Sequence, residues 1–278
     1  MFVVEGKRLE PDIIRRMEKV YGLRCEISSV CTNIHSLYRQ LKQDEGFSDL
    51  IMVLRERLSS RLTKLEDLEF NRDRQHEIER IKKELLIIDR PFSSVYLVFD
   101  SELHHCSKKA ANSMAVVKNN IAELKDMLEF FNNETEHGKL YVNYPMMESY
   151  RDCDDYFDKD YKDRFVSLDI LFGKTRLKGY KSAIGSRKLA NIRIGEISEE
   201  QFNRLTCMNI FKLNWMKNRI WGKPPYDEFL KQVRQDTILD LVYQYCHDLG
   251  AVAVLNTLLF FIVEYRGQDF YNNAICPE

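Results

Sequence analysis

Four acidic positions, far apart along the chain, share one local setting. Glu5 follows the apolar run Phe2–Val4, Asp100 and Glu102 close the run Ser94–Phe99 (SVYLVF), and Glu148 comes five residues after Lys139–Asn143. In an open parallel sheet, ligands bind beyond the carboxyl ends of the strands. Carboxylates placed there converge on one rim, and converging anionic oxygens are the ligand set of Mg2+ or Mn2+. Such a cluster repels itself unless a cation fills it. With a metal bound, it can coordinate phosphate oxygens and polarise an attacking water. Singly, each acid could be a turn former or a helix cap. Their joint placement, in the order of one sheet edge, carries the reading.

The elements that must hold these acids are legible in outline. Phe2–Val4 reads as a strand. Ile13, Ile14, Met17, Val20 and Tyr21 are spaced helically, with Pro11 tolerated in the first turn and Gly22 as the stop. Arg24–Val30 follows as a second strand, which makes a βαβ unit and so a parallel pair. Residues 34–88 are helical and highly charged, and a solvated helical pair standing off the body is expected there. Ser94–Phe99 is apolar without alternation, as in a strand buried on both faces. A helix over Ile121–Phe131, a strand over Lys139–Asn143 and a helix starting at Met146–Tyr150 complete an α/β half. Beyond residue 150, Ser198–Gln201 forms a capping-box pattern, and helices are expected after it, over Tyr226–Leu249 and over Val252–Tyr265. The predicted architecture is therefore α/β, with a mostly parallel sheet and helices on both faces, in two domains. The first spans 1–150; the second, 151–278, is a charged connector and an α-helical domain.

The acidic motifs resemble those of Toprim domains. FVVEGK (2–7) resembles the first motif, a strand followed by an acid and Gly; VFDSE (98–102) resembles the second, whose usual form is Asp-x-Asp. NYPMMES (143–149) is similar to the Pro-x-x-Glu segment of Toprim proteins of the OLD and RloB-like type. Those families include nucleases of bacterial anti-phage defence, some paired with an ABC-type ATPase. The resemblance covers residues 1–150 and implies that 44–90 is a helical insertion. It implies Glu5 as general acid/base or metal ligand, Asp100 and Glu102 as ligands of the divalent ion, and Glu148 as the residue that completes the set. It also implies that Gly6 lets a phosphate approach the backbone and that Lys7 neutralises it. Two features depart from the pattern: the second acid of Asp-x-Asp is Glu102, one methylene longer, and the interval from Glu5 to Asp100 is long.

Other residues are weighed against this frame. His104 and His105 flank the acid motif and could touch phosphate or donate a proton. A zinc reading of His104-His105-Cys106 lacks further ligands at workable spacing. Residues 173–193 hold seven Lys/Arg and no acid. Lys174, Arg176, Lys178, Lys181, Arg187 and Lys188 there could track a nucleic-acid backbone, with Tyr180 as a stacking ring. The alternative is that they fold back on 151–169, where seven Asp face two Arg and two Lys. The net charge of −1 excludes a globally basic nucleic-acid glove.

Seven Cys without a C-x-x-C pair argue against a disulfide framework and favour a reducing cytoplasm. MFVVEG has no basic n-region of a signal peptide. The longest apolar run, 251–263, is too short to span a bilayer and reads as a buried core helix. No Walker A glycine spacing and no G-x-S-x-G elbow occur. The expected activity is Mg2+- or Mn2+-dependent cleavage of RNA, such as tRNA, or of DNA, by a toxic effector of anti-phage defence. The rival from another class is a catalytically inactive module that binds an ATPase, or a second copy of the chain, through 44–90. A second rival is a nucleotidyl transferase.

Overall fold

A computed structural model describes residues 1–43, 49–68, 71–105, 113–176 and 179–275. Its centre is a five-stranded sheet built from β1 (Phe2–Val4), β2 (Ile27–Ser29), β3 (Tyr96–Asp100), β4 (Asn132–Asn133) and β5 (Gly138–Asn143). The strand order is β2-β1-β3-β5-β4; the first four are parallel and only the two-residue edge strand β4 runs antiparallel. The α/β class and the mostly parallel sheet are therefore as expected. The register sets Val4 opposite Val98 and Asp100 opposite Asn143, so β1, β3 and β5 release their chains at one rim.

Both faces of the sheet are covered, which explains the unbroken apolar text of β3. On one face, Phe2, Tyr96 and Tyr141 each meet Phe261 of α11 (Leu258–Asn273), with ring centroids 4.9–6.2 Å apart. On the other lie Val3, Leu97, Phe99, Leu140 and Val142, all essentially inaccessible. Gly138 starts β5 at φ +97°, and a Cβ there would run into the Leu97 side chain. That position needs Gly for both conformation and space.

α1 (Leu9–Tyr21) follows β1 and buries Ile13, Ile14, Met17 and Tyr21; it ends at Gly22 in the left-handed conformation. α2 (Ile34–Gln43) follows β2. α3 (Leu50–Glu66) and α4 (Arg72–Ile88) form the charged pair, each opened by a capping side chain: Asp49 accepts from the Ile51 N–H and Asn71 from the Asp73 N–H. The pair is tied to the sheet edge more firmly than a solvated protrusion. Glu84 of α4 is buried and accepts the Ser29 N–H at 3.2 Å, and Ile81, Val53 and Leu54 are fully buried. α5 (Ser113–Phe130) follows β3 and reaches from Ser113, well before Ile121.

After residue 150 come β6 (Phe165–Ser167), α6 (Leu168–Leu171), α7 (Tyr180–Ala183), α8 (Glu199–Asn218), α9 (Tyr226–Gln232), α10 (Gln235–Leu249), β7 (Ala251–Ala253) and α11. The capping box that opens α8 is formed in both directions, Gln201 N–H to Ser198 Oγ and Ser198 N–H to Gln201 Oε1. Two expectations are corrected. Tyr226–Leu249 is two helices, and the break places Gln235 so that its Oε1 accepts the Val142 N–H at 3.1 Å, an amide that the short β4 leaves unpaired. The apolar run 251–263 is not one helix: Ala251–Ala253 pairs antiparallel with β6, and α11 starts only at Leu258. Periodicity cannot separate a buried strand from a buried helix turn in so short a run; the backbone pairing decides it.

Buried side chains from both sides of residue 150 belong to a single cluster. Cys207 is disulfide-bonded, a departure from the reduced thiols expected from the odd, unpaired cysteine pattern, whereas Cys25, Cys31, Cys153 and Cys246 are free thiols. Among the described residues, no helix is long and apolar enough to cross a membrane.

Candidate active site

The rim beyond β1, β3 and β5 is assembled by hydrogen bonds from strand ends. Glu5 directly follows β1, and its carbonyl oxygen accepts the Cys31 N–H at 3.1 Å, which ties it to the loop after β2. Asp100 is the last residue of β3. Its Oδ1 accepts the Met147 N–H at 2.7 Å, and the buried Ser101 Oγ donates to the Pro145 carbonyl at 2.9 Å. These two bonds fasten residues 145–147 to the end of β3. The chain then makes a 3-10 turn over Met147–Arg151, and that turn holds Glu148, 3% exposed. Glu102 sits at φ +47°, and its carbonyl, with those of Leu103 and His105, accepts from the Asn120 side chain of α5. The strand ends and the turns after them thus set Glu5, Asp100, Glu102 and Glu148 along one edge of the sheet.

Their electrostatics show mutual proximity. Burial pushes the Glu5 carboxyl up to about 7, helped by the charges of Glu102 and Glu10. Asp100 is raised well above the usual carboxylate range by burial and then by Glu148 and Glu5. Glu5 Oε2 and Glu148 Oε2 are both buried without a hydrogen-bond partner. Among the described residues, the cation paired at the rim is Lys181 of α7, whose Nζ lies 2.8 Å from Glu148 Oε1. Desolvation works against the Lys181 ammonium, but Glu148, Asp100 and Glu10 outweigh it and raise its pKa.

Glu10 is a fifth acid of this group, and the sequence reading passed over it. It was visible only as a first-turn residue before Pro11. It is 8% exposed, and burial raises its pKa although its carboxylate accepts its own N–H and that of Gly6. A Cβ on Gly6 would collide with this carboxylate. Gly6 therefore makes room for Glu10, which fills the place assigned to an incoming phosphate.

The other predicted residues divide. Lys7 turns away from the acids to Glu77 of α4, 2.9 Å away. His105 lies with Nδ1 3.9 Å from Glu102 Oε2 and stacks on His35 at a centroid separation of 6.0 Å. His104 has a buried Nδ1 without a partner. His35, also missed, is 2% exposed; its Nδ1 pairs with Glu123 at 2.8 Å while its Nε2 is unpartnered. Nothing in its own helix marks it, because both partners come from the segment after β3.

In the basic segment, Lys178 lies outside the described residues. Lys174 Nζ donates to Ser113 Oγ at 2.6 Å, and Arg176 and Lys188 are exposed. Arg187 pairs with Asp152 at 2.9 Å and with Asp154 at 3.6 Å. Tyr180 is corrected: it is 2% exposed and its hydroxyl donates to Asp152 at 2.9 Å, so no face is free to stack on a base. Arg187 is thus engaged with acids of 151–169, which follows the fold-back alternative, whereas Lys181 is engaged with Glu148, outside that run.

The donor set suits a hard divalent cation in its chemistry. It consists of carboxylate oxygens, two of them buried and unpartnered, in a group whose mutual repulsion a cation would relieve. Among the described residues, no three His, Cys, Asp or Glu side chains stand close enough together to hold a metal ion as they are placed. Compared with known protein families, with curated proteins and with solved structures, the chain matches none.

Proposed function

We propose that the chain is a Toprim-like, divalent-metal-dependent nuclease. The observation that carries this reading is the pairing of Glu5, with a carboxyl raised to about 7, with Asp100 at the end of the neighbouring parallel strand. Mg2+ or Mn2+, held by Glu5, Asp100, Glu102 and Glu148, would supply charge neutralisation at a phosphoryl oxygen and a lowered pKa for bound water. The chain's own residues do the rest. Without a metal the Glu5 carboxyl lies near half-protonation at neutral pH, so Glu5 serves either as the general acid/base that exchanges a proton with a reacting oxygen or, once ionised, as a metal ligand. The Met147 N–H fixes Asp100, and Lys181 pairs with Glu148 at the rim. Residues 1–150 form the Toprim-like domain with its insertion at 44–90, and 151–278 form the second domain. The setting is a cytoplasmic effector of anti-phage defence, with an ABC-type ATPase or a second copy as partner.

The test is cleavage of end-labelled DNA and RNA panels, tRNA included, by the purified protein with Mn2+. Metal-dependent cutting that Glu5→Gln and Asp100→Asn abolish is expected. A protein that cuts nothing in the panel, with a cellular phenotype untouched by Glu5→Ala, rejects the reading.

A specific contact favours a second reading. Lys181 already gives Glu148 a cation, and no closed ligand set is present among the described residues. In that reading the rim is a catalytically silent interaction module, and Mn2+ titration calorimetry would register no binding.

A further inference from the structure

α1 carries two opposite endowments. Its first turn gives Glu10 to the acidic rim, and its next two turns give a stripe of cations to solvent. Arg15, Arg16 and Lys19 lie with Asp12 on the face opposite Ile13, Ile14 and Met17. This stripe forms one wall of a cleft of about 430 Å3. The other walls are Tyr150 and Arg151, from the same 3-10 turn that holds Glu148, and the backbone around Ile194. Arg15, Arg16, Lys19 and Arg151 face one acid, Asp12, an excess of three positive charges.

These cations are not used up by the fold. Arg15 and Lys19 are exposed, and neither makes an ion pair among the described residues. Arg16 Nε donates to the Ile197 carbonyl at 2.6 Å, and Arg151 donates from one terminal nitrogen to the Ala190 carbonyl at 2.8 Å. Those bonds fix the direction of two guanidinium groups without neutralising them. Arg151 also lies over the Tyr150 ring, 6.0 Å from its centroid. The Arg151 Nε and the Tyr150 hydroxyl, in two residues that line the cleft, are buried and have no hydrogen-bond partner. The contrast with Arg187, paired twice with Asp152 and Asp154, is direct.

We propose that this cleft binds the sugar–phosphate backbone of a single-stranded nucleic acid and leads it to the acidic rim. The inference rests on the nuclease reading for the direction of the strand, not for the cleft's anion affinity. Position is the argument. From Glu10 to Lys19 α1 rises roughly 13 Å at 1.5 Å per residue. The turn Met147–Arg151 joins the two regions at its two ends, Glu148 toward the acids and Arg151 toward the cations. A polyanion held along α1 would therefore reach the rim with no chain reversal. The cleft also replaces Tyr180 and Arg187, which the fold keeps for itself, as the place where phosphates meet free positive charge.

The experiment is fluorescence anisotropy of labelled 20-mers, DNA and RNA, with the full chain in EDTA, so that cleavage cannot intrude. Arg15→Gln/Lys19→Gln alters two exposed side chains and leaves the core untouched. It is expected to weaken binding about tenfold and to flatten the plot of log K against log salt by about 1.4, two phosphates at roughly 0.7 each. Lys231→Gln, on α9, is expected to change neither. An unchanged affinity and slope in the double variant overturns the proposal, as does equal competition by inorganic phosphate at matched charge. Loss of binding in the variant while the wild type cuts nothing with Mn2+ keeps the cleft and rejects the nuclease. Cutting by a double variant with wild-type affinity does the reverse.

Discussion

Two groups of carboxylates in this molecule are treated in opposite ways. At the α3–α4 pair, Glu77 receives Arg80, Lys7 and Arg61, and its pKa falls to about 2, led by the Arg80 hydrogen bonds. At the strand-end rim, Lys181 is the cation that Glu5, Glu10, Asp100 and Glu148 share among the described residues, and burial with repulsion from Glu102 and Glu10 raises Glu5 to about 7. A carboxylate that only has to hold two elements together is given its cations by the fold. A group left short of cations stores repulsion, and such perturbed sites coincide with function more often than with scaffolding. The difference teaches that burial alone does not mark the rim: Glu84 is buried too, yet it has Arg80 and the Ser29 amide.

The sharpest way to break this comparison is activity. Asp100→Asn or Glu5→Gln should lower metal-dependent cleavage by 10²-fold or more, the usual scale for removing a positioned acid–base group. Glu77→Gln should leave the cleavage rate within about twofold and show its effect in melting temperature instead. Equal losses of rate at Glu5 and Glu77 would erase the distinction.

Stability against pH comes next, because the two regions must tilt it in opposite directions. Glu5 has a folded pKa above its unfolded value, so the native state binds more protons between about 4.5 and about 7. Its contribution is whole below pH 4.5 and is lost as pH rises to 7, on the order of 2 kcal/mol after allowance for its partial exposure. Glu77 has a depressed folded pKa, so its contribution is present above pH 4.5 and is lost as pH falls toward 2. Urea unfolding across pH 4.5–7.5 should therefore show a decline with rising pH that flattens in Glu5→Gln and survives in Glu77→Gln.

A smaller effect should follow from the metal. Mn2+ at pH 7 should raise the melting temperature of the wild type and release protons into a weakly buffered solution, since Glu5 must ionise to bind. Glu5→Gln should reduce both signals. A proton count that is the same in the two proteins would separate Glu5 from the ion. The smallest change concerns Lys181→Met, which removes the charge that opposes Glu5 protonation. The pH at which the decline is centred should move up by a few tenths of a unit, visible in the same unfolding series.

Much of the frame could be read before any coordinates. Short apolar runs located β1, β3 and β5, and the acids at or shortly after their ends located the rim, because strand ends and turn chemistry are local properties. The capping box of α8 was legible for the same reason. Glu10 was not: its carboxylate joins the rim only because Gly6 lacks a Cβ in its way. His35 was not either, since its setting comes from Glu123 and His105, about 90 and 70 residues away. The run 251–263 was misjudged because a strand and a helix turn are equally apolar when both are buried.

By itself, then, the sequence determined the α/β alternation, the parallel core strands and the presence of acids at their ends. Each of these follows from side-chain type and spacing within a few residues. Only the tertiary structure decided which acids lack cations among the described residues, that Lys7 and Arg187 are engaged elsewhere, and that Arg15 and Lys19 stay unpaired along α1. The reason is physical: the field at a carboxylate is a sum over neighbours from the whole chain, and the sequence orders those neighbours by bond count, not by distance.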